Sequence, residues 1–260
     1  MRALEARHLA DLTFPEVSRA LRALSSAYVE RRQRLAEGAA LAGAGKRAAF
    51  ALFYGPLHYL LIREIVRALP GATGPGPPVG PAQAGPHVRQ VRNTPTLVDL
   101  GCGTGAAGAA WAAGCRTPPP IIGIDRHPWA LSEAGETYRD FGFSARTRHG
   151  DVAAIQLPKS PAAMLAAFTV NELADAARGL LLQRLLARAK AGDCVLIVEP
   201  VAGFVAPWWN AWRQAFAAAG GRDDEWRFRV ELPAIVAKLD RAAGLNHREL
   251  KGRSLWLPGT

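Results

Sequence analysis

The 260-residue chain reads as an α/β protein: a largely parallel sheet with helices on both faces, preceded by a helical N-terminal region. Two patterns predict this. Beyond about residue 94, short β-rich runs alternate with helical stretches, as strand–crossover–strand units require. Before residue 70, apolar residues recur at helical spacing. The predicted organisation is a helical region over 1–69, a Pro/Gly-rich linker over 70–93 and an α/β domain over 94–260.

In the first region Val17, Ala20, Leu21, Leu24 and Tyr28 form one helical stripe, with Arg19, Arg22, Glu30, Arg31 and Arg32 mostly on other faces. The Gly- and Ala-rich residues 37–45 break this segment. A second helical stretch starts at Lys46, and Pro56 suits the first turn of a fresh helix. Leu57, Leu60, Leu61 and Ile65 give its apolar stripe. Phe50, Phe53, Tyr54 and Tyr59 suit packing, or the lining of a ligand cleft. Residues 70–85 lack periodicity and bury too little apolar surface to fold alone, so they read as a flexible linker.

Beyond the linker, candidate strands are 96–100, 121–124, 143–149, 164–168 and 194–198. Candidate helices are 106–113, 128–141 and 172–189. The C-terminal part carries an aromatic segment at 207–216 and a helix near 233–243. Residues 247–250 and 253–257, around Lys251-Gly252, read as a short hairpin.

Hydrophobic residues make up 49% and charged residues 21%, the balance of a well-cored protein. No apolar run approaches the roughly 20 residues of a membrane span, and the first dozen residues do not resemble a signal peptide. The expectation is a cytoplasmic protein without a membrane partner. Three widely spaced cysteines and six scattered histidines show no metal-ligand spacing, so no metal is expected. Net charge is +10 and pI about 10.2. Residues 1–92 hold thirteen Lys and Arg against six Asp and Glu. Such an excess attracts a polyanion such as RNA; an Arg-, Ala- and Pro-rich composition also follows from a GC-rich genome.

The strongest local signal is VDLGCGTG at 98–105, a strand that ends in an acid followed by glycines turning into a helix. Glycines reach positive φ and let a ligand approach bare backbone, and the helix behind them offers unpaired N–H groups. Gly103, Gly105 and Gly108 also spell the dinucleotide pattern G-x-G-x-x-G. Asp99 argues against a pyrophosphate and for a ligand with an ammonium group. Asp125, ending the second strand, suits two ribose hydroxyls. Asp151, after the third, suits an adenine amino group or a plain turn. Phe168 and Asn171 follow the fourth strand at the edge where ligands bind, although Asn171 also suits an N-cap. Glu199 ends the fifth strand and is the best-placed candidate base, so Glu199 and Asn171 are the catalytic candidates.

At VDLGCGTG, IIGIDRHP, GDV and the Asn171-Glu172-Leu173 segment, the chain resembles class I S-adenosylmethionine-dependent methyltransferases over roughly residues 94–260. The resemblance implies a Rossmann-like seven-stranded methyltransferase sheet, S-adenosylmethionine as cofactor, and contacts from Asp99, Gly101, Gly103, Gly105, Asp125, Asp151 and Phe168. With AFALFYGPLHYLLIREIVRAL before this region and CVLIVEP after it, the chain also resembles the methyltransferase-like family associated with the small ribosomal subunit. It lacks the cysteine set with which some members bind an iron–sulfur cluster. This narrower resemblance implies an enzyme acting on ribosomal RNA or the small subunit. Two other readings stand beside it. One is a small-molecule methyltransferase, with Trp208, Trp209 and Trp212 closing an apolar pocket or simply packing. The other is a non-catalytic ribosome assembly factor that retains the fold.

Overall fold

A computed structural model describes residues 1–30, 41–72, 95–201 and 206–259. Residues 73–93 of the expected linker and 37–40 of the expected break lie outside the described residues; in the rest of the break Gly43 takes a φ of 87°. Four helices come first: α1 (Arg2–His8), α2 (Phe14–Glu30), α3 (Ala44–Ala49) and α4 (Gly55–Ala68). A π-helical turn, Phe50–Tyr54, joins α3 to α4 without a break. Its cause is Pro56, which has no N–H to donate within a helix. The ladder widens just upstream, where the Gly55 N–H reaches back five residues to the Phe50 carbonyl. Pro56 sits in the first turn of α4, as the sequence suggests, although the helical run continues into it from α3 without a break. Among the described residues, Ala44–Ala68 is the one helix long and apolar enough to cross a membrane, and 67% of that window is buried inside the protein.

The α/β part runs β1 (Thr96–Leu100), α5 (Ala106–Gly114), β2 (Ile121–Asp125), α6 (Pro128–Asp140), β3 (Ala145–His149), β4 (Ala162–Ala167), α7 (Asp175–Lys190), β5 (Cys194–Glu199), α8 (Trp209–Ala218), β6 (Arg222–Phe228), α9 (Ala234–Ala242) and β7 (Leu250–Leu257). These strands form one seven-stranded sheet in the order β3-β2-β1-β4-β5-β7-β6. The β1–β2, β1–β4, β2–β3 and β4–β5 pairs are parallel, whereas β7 runs antiparallel to both β5 and β6. This is the seven-stranded Rossmann-like sheet the sequence predicts, with its order reversing between β1 and β4, and ligands bind at the carboxyl edge of such a reversal.

The C-terminal hairpin is placed differently from the sequence expectation. Residues 250–257 form one unbroken strand, and Lys251-Gly252 runs straight through it. Its partner is β6, whose charged sequence RDDEWRF alternates partly buried and exposed positions, as a half-solvated edge strand does. At Gly252 a Cβ would lie 3.0 Å from Leu61, so the bare backbone lets α4 press onto β7.

Two apolar layers flank the sheet. One holds Val98, Leu100, Met164, Leu181, Ile197, Trp209, Trp212 and Phe216. In the other, Leu21, Phe53, Leu61, Ile62 and Ile65 from the N-terminal helices share a cluster with Leu97, Trp111 and Leu196. The Trp111 indole N–H donates to the Ala72 carbonyl at 2.8 Å, tying the end of the helical region to α5. Arg7 of α1 reaches α6, bonding Glu133 at 3.0 Å and Asp140 at 2.9 Å. The N-terminal helices are thus built into the core of the α/β layer.

Ile62→Ala, at a fully buried site on α4, is expected to lower stability by about 2–5 kcal/mol in urea denaturation. A change of only a few tenths of a kcal/mol would mean that α4 packs loosely on the sheet.

Candidate functional site

The chain leaves β1 at Leu100 and must enter α5 at Ala106. Gly101, Gly103 and Gly105 take φ of 69°, 51° and 75°, values disfavoured for other residues. The turn is fastened from below: the Gly101 and Cys102 N–H groups donate to the Ile124 carbonyl at 2.8 and 2.9 Å. From the β4 side, the Thr169 hydroxyl donates to the Leu100 carbonyl at 3.0 Å, and a Cβ on Gly101 would collide with Thr169 at 2.3 Å. At Gly103 the nearest obstacle to a Cβ is the Phe50 ring at 3.8 Å. That is open space over bare backbone.

This turn forms part of the wall of a cavity of about 710 Å³. Gly101, Gly103, Ala106, Ala107 and Asp125 line it on the side of β1 and β2; Phe168, Asn171 and Glu199 line it at the ends of β4 and β5. Phe50, Tyr54, Leu57 and His58 close it from the N-terminal helices, and His247, Leu250 and Lys251 from the start of β7. Asp125 is held by the Gly103 N–H at 2.9 Å and the His127 N–H at 2.8 Å. Each carboxylate oxygen keeps a further lone pair for a ligand hydroxyl. Ala106 and Ala107 lie in the first turn of α5, where N–H groups lack intrahelical partners and suit a ligand carboxylate.

Four sequence-selected residues stand elsewhere or in other roles. Asp99 is buried beneath the turn and is not part of the cavity wall. Its Oδ2 accepts the Gly108 N–H at 3.0 Å and the Tyr138 hydroxyl at 3.1 Å. Burial pushes its pKa up to about 7, against the lowering effect of these two bonds. Asp151 is exposed, outside the cavity wall, and accepts the Ala153 N–H at 2.8 Å. It caps a local turn. Asn171 is not the N-cap of α7, a position occupied by Ala174; it sits in a 3₁₀ turn, Val170–Glu172. Gly105 faces Tyr138, which a Cβ would meet at 2.9 Å, and serves packing between α5 and α6.

Glu199 lines the cavity but is fully buried and gripped by the turn after β4, through Asn171 and the Val170 backbone. Asn171 donates its backbone N–H to Oε1 at 3.2 Å and its side-chain N–H to Oε2 at 2.5 Å. The Trp208 indole N–H in turn donates to Asn171 Oδ1 at 3.1 Å. Burial pushes Glu199 up to about 8, so it is largely protonated at neutral pH and tied to Asn171. The pair pins β4's exit to β5, and a protonated, fully buried carboxyl makes a poor base.

Phe168 has φ of 60°, the lone non-glycine residue among those described with positive φ. Such strain concentrates at functional sites. It turns the ring onto His58, stacked at 4.0 Å with 18° between planes. Burial pushes His58 down to about 4, leaving a neutral aromatic wall at neutral pH. Sequence reading missed His58, and with it His247 and Asp240. His247 Nδ1 lies 2.5 Å from Asp240 Oδ1, a contact across seven residues that neither histidine count nor spacing announces.

Residues 97–192 match the family model described as a methyltransferase domain. No curated protein matches the chain. Similar solved structures include the YcgJ protein from Bacillus subtilis, 14% identical over 66% of this chain and 94% of that one, TM-score 0.45. An S-adenosylmethionine-dependent methyltransferase from Aquifex aeolicus is 17% identical over 62% and 81%, TM-score 0.43. An O-methyltransferase from neocarzinostatin biosynthesis, solved with S-adenosylmethionine and 2-hydroxy-5-methyl naphthoic acid, is 16% identical over 64% and 49%, TM-score 0.43. The chain carries a methyltransferase domain over the matched residues, and the cofactor such a domain takes is S-adenosylmethionine. The cavity suits it: open backbone at Gly103, N–H groups at Ala106 and Ala107 for its carboxylate, and Asp125 for its ribose.

Asp99 and Glu199 both titrate higher in the folded chain than their ordinary values of 3.8 and 4.5. The native state therefore holds protons that the unfolded chain releases. Their contribution is complete below about pH 4 and is lost as pH rises through about 7 to 8. Glu199→Gln is expected to flatten that fall in urea midpoints measured from about pH 5 to pH 9. An unchanged slope in the variant would show that Glu199 is ionised in the folded protein.

Proposed function

We propose that the protein is an S-adenosylmethionine-dependent methyltransferase that acts on a small molecule with an aromatic or apolar body. The observation that carries this reading is a single cavity with two kinds of wall. The glycine turn and Asp125 form one side, and Phe50, Tyr54, His58 and Phe168 face the same space. Its volume of about 710 Å³ falls in the range of small-ligand sites, with room for a cofactor and a compact acceptor.

The cofactor brings a methyl group already activated on a sulfonium. What remains for the chain is to position and desolvate the acceptor. The neutral His58 ring, stacked on Phe168, adds no positive charge beside a cationic donor. Leu57, Leu61 and Leu250 supply the dry surface.

Ribosomal RNA as acceptor, reached through the basic N-terminal region, is the second reading, supported by the net charge of +10. Against it, much of the described N-terminal charge is spent internally. Arg7 pairs with Glu133 and Asp140, and Arg63 and Arg67 with Glu64; Arg22 donates to the Ala242 carbonyl.

Calorimetry is expected to show S-adenosylmethionine binding by the wild type and none by Gly103→Arg, whose side chain fills the open backbone site. No affinity in the wild type would end the cofactor assignment. With tritium-labelled cofactor and a cell extract, label is expected in small organic molecules. Label in ribosomal subunits, together with rRNA binding that weakens steeply with salt, would establish the second reading instead. A protein that binds cofactor but labels neither fraction is a non-catalytic assembly factor or binder.

A further inference from the structure

A carboxylate–imidazole pair stands on the cavity wall, outside the glycine turn and its neighbouring strands. Asp240, on α9, is 7% exposed. It holds His247 twice, accepting from ring Nδ1 at 2.5 Å and from the backbone N–H at 3.0 Å. Phe53 meets the same ring edge-to-face, with centroids 5.5 Å apart. Ring position and rotation are therefore both fixed. A carboxylate only accepts, so in the neutral imidazole this contact places the proton on Nδ1 and leaves the Nε2 lone pair facing the cavity. No described residue bonds Nε2, and the side chain is 33% exposed and lines the cavity.

We propose that Asp240–His247 is the acid–base dyad of the methyl transfer, and that the acceptor is a compact phenol-like molecule whose O–H faces His247 Nε2. This rests on the methyltransferase reading above. In the step, a lone pair of the acceptor oxygen forms the new O–C bond to the methyl carbon. The C–S bond breaks with its electron pair staying on sulfur, and the acceptor's proton passes to Nε2. The products are a methyl ether, a neutral thioether and an imidazolium, which Asp240 stabilises until the proton returns to solvent.

The surroundings favour this assignment over the other polar groups of the cavity. Glu199 is fully buried and bound to Asn171. His58 has no carboxylate partner among the described residues and is stacked flat on Phe168. The groups facing the His247 ring are Asp240 from α9 and Phe53 from the π-helical turn; Lys251 of β7 and Glu199 of β5 line the same cavity. The aromatic rings of Phe50, Tyr54 and Phe168 on that cavity suit a planar acceptor.

The test uses 4-nitrophenol, a phenol whose absorption reports its own ionisation, added to full-length protein loaded with S-adenosylhomocysteine. Below the probe's own pKa, bound 4-nitrophenol is expected to shift toward the phenolate spectrum in the wild type. The shift should vanish in His247→Asn and shrink in Asp240→Asn, while both variants keep wild-type affinity for S-adenosylhomocysteine and so are folded. Methyl transfer to the probe should fall about 100-fold or more in His247→Asn. Failure of 4-nitrophenol to bind, or the same shift in wild type and His247→Asn, overturns the proposal. If the wild type does not bind S-adenosylhomocysteine, the methyltransferase reading itself fails, and the dyad with it.

Discussion

Five residues between Leu100 and Ala106 must reverse the chain while β2, β4, α6 and the N-terminal helices all press on it. Space on three sides is already taken: Thr169 stands 2.3 Å from where a Gly101 side chain would begin, Tyr138 2.9 Å from Gly105, and Asp99 2.6 Å from Gly108. Only at Gly103 is the approach open, limited by Phe50 at 3.8 Å. The same glycine pattern therefore does two jobs. Gly101, Gly105 and Gly108 let secondary structure close tightly, and Gly103 leaves backbone for a ligand. The bond from Asp99 to the Gly108 N–H is the internal brace, since it ties the end of β1 to the first turns of α5 and fixes where that helix's free N–H groups point.

The second constraint comes from the N-terminal helices, which in a bare α/β sheet would be dispensable. Here α4 packs along α5 and onto β7, and the π-helical turn before it carries Phe50 and Tyr54 to the cavity while burying Phe53 behind them. A regular helix would rotate those aromatic residues relative to Leu57 and His58. The extra residue that Pro56 imposes thus sets which rings face the ligand and which face the core. The aromatic wall of the cavity is in this way coupled to the stability of the whole layer.

Much of the α/β framework was legible in the sequence, because buried parallel strands and the glycine turn leave strong local patterns. β1 and the start of α5 follow directly from VDLGCGTG, and β2 ends at Asp125 as its run of isoleucines suggests. β6 was illegible because RDDEWRF has the composition of a loop; only pairing with β7 makes it a strand. Lys251-Gly252 reads as a turn for the same reason, since nothing local shows that the glycine is there to admit Leu61. Site residues divide similarly. Asp125 and Phe168 line the cavity as strand-end reasoning suggests. Asp99 and Asp151 do not, because strand alternation turns one inward and a local turn captures the other.

The antiparallel return of β7 explains why the chemistry of the cavity is split between distant parts of the chain. Parallel strands deliver only their carboxyl ends to the ligand edge, and here the end of β5 is taken up by the bonds between Glu199 and Asn171. β7 enters the sheet from the opposite direction, so residues just before its first position arrive at the same edge. That places His247, Leu250 and Lys251 on the cavity, with α9 immediately behind to supply Asp240. A hydrogen-bonded imidazole reaches this edge because the last strand is reversed, and a fully parallel sheet would have left it at the far side of the molecule.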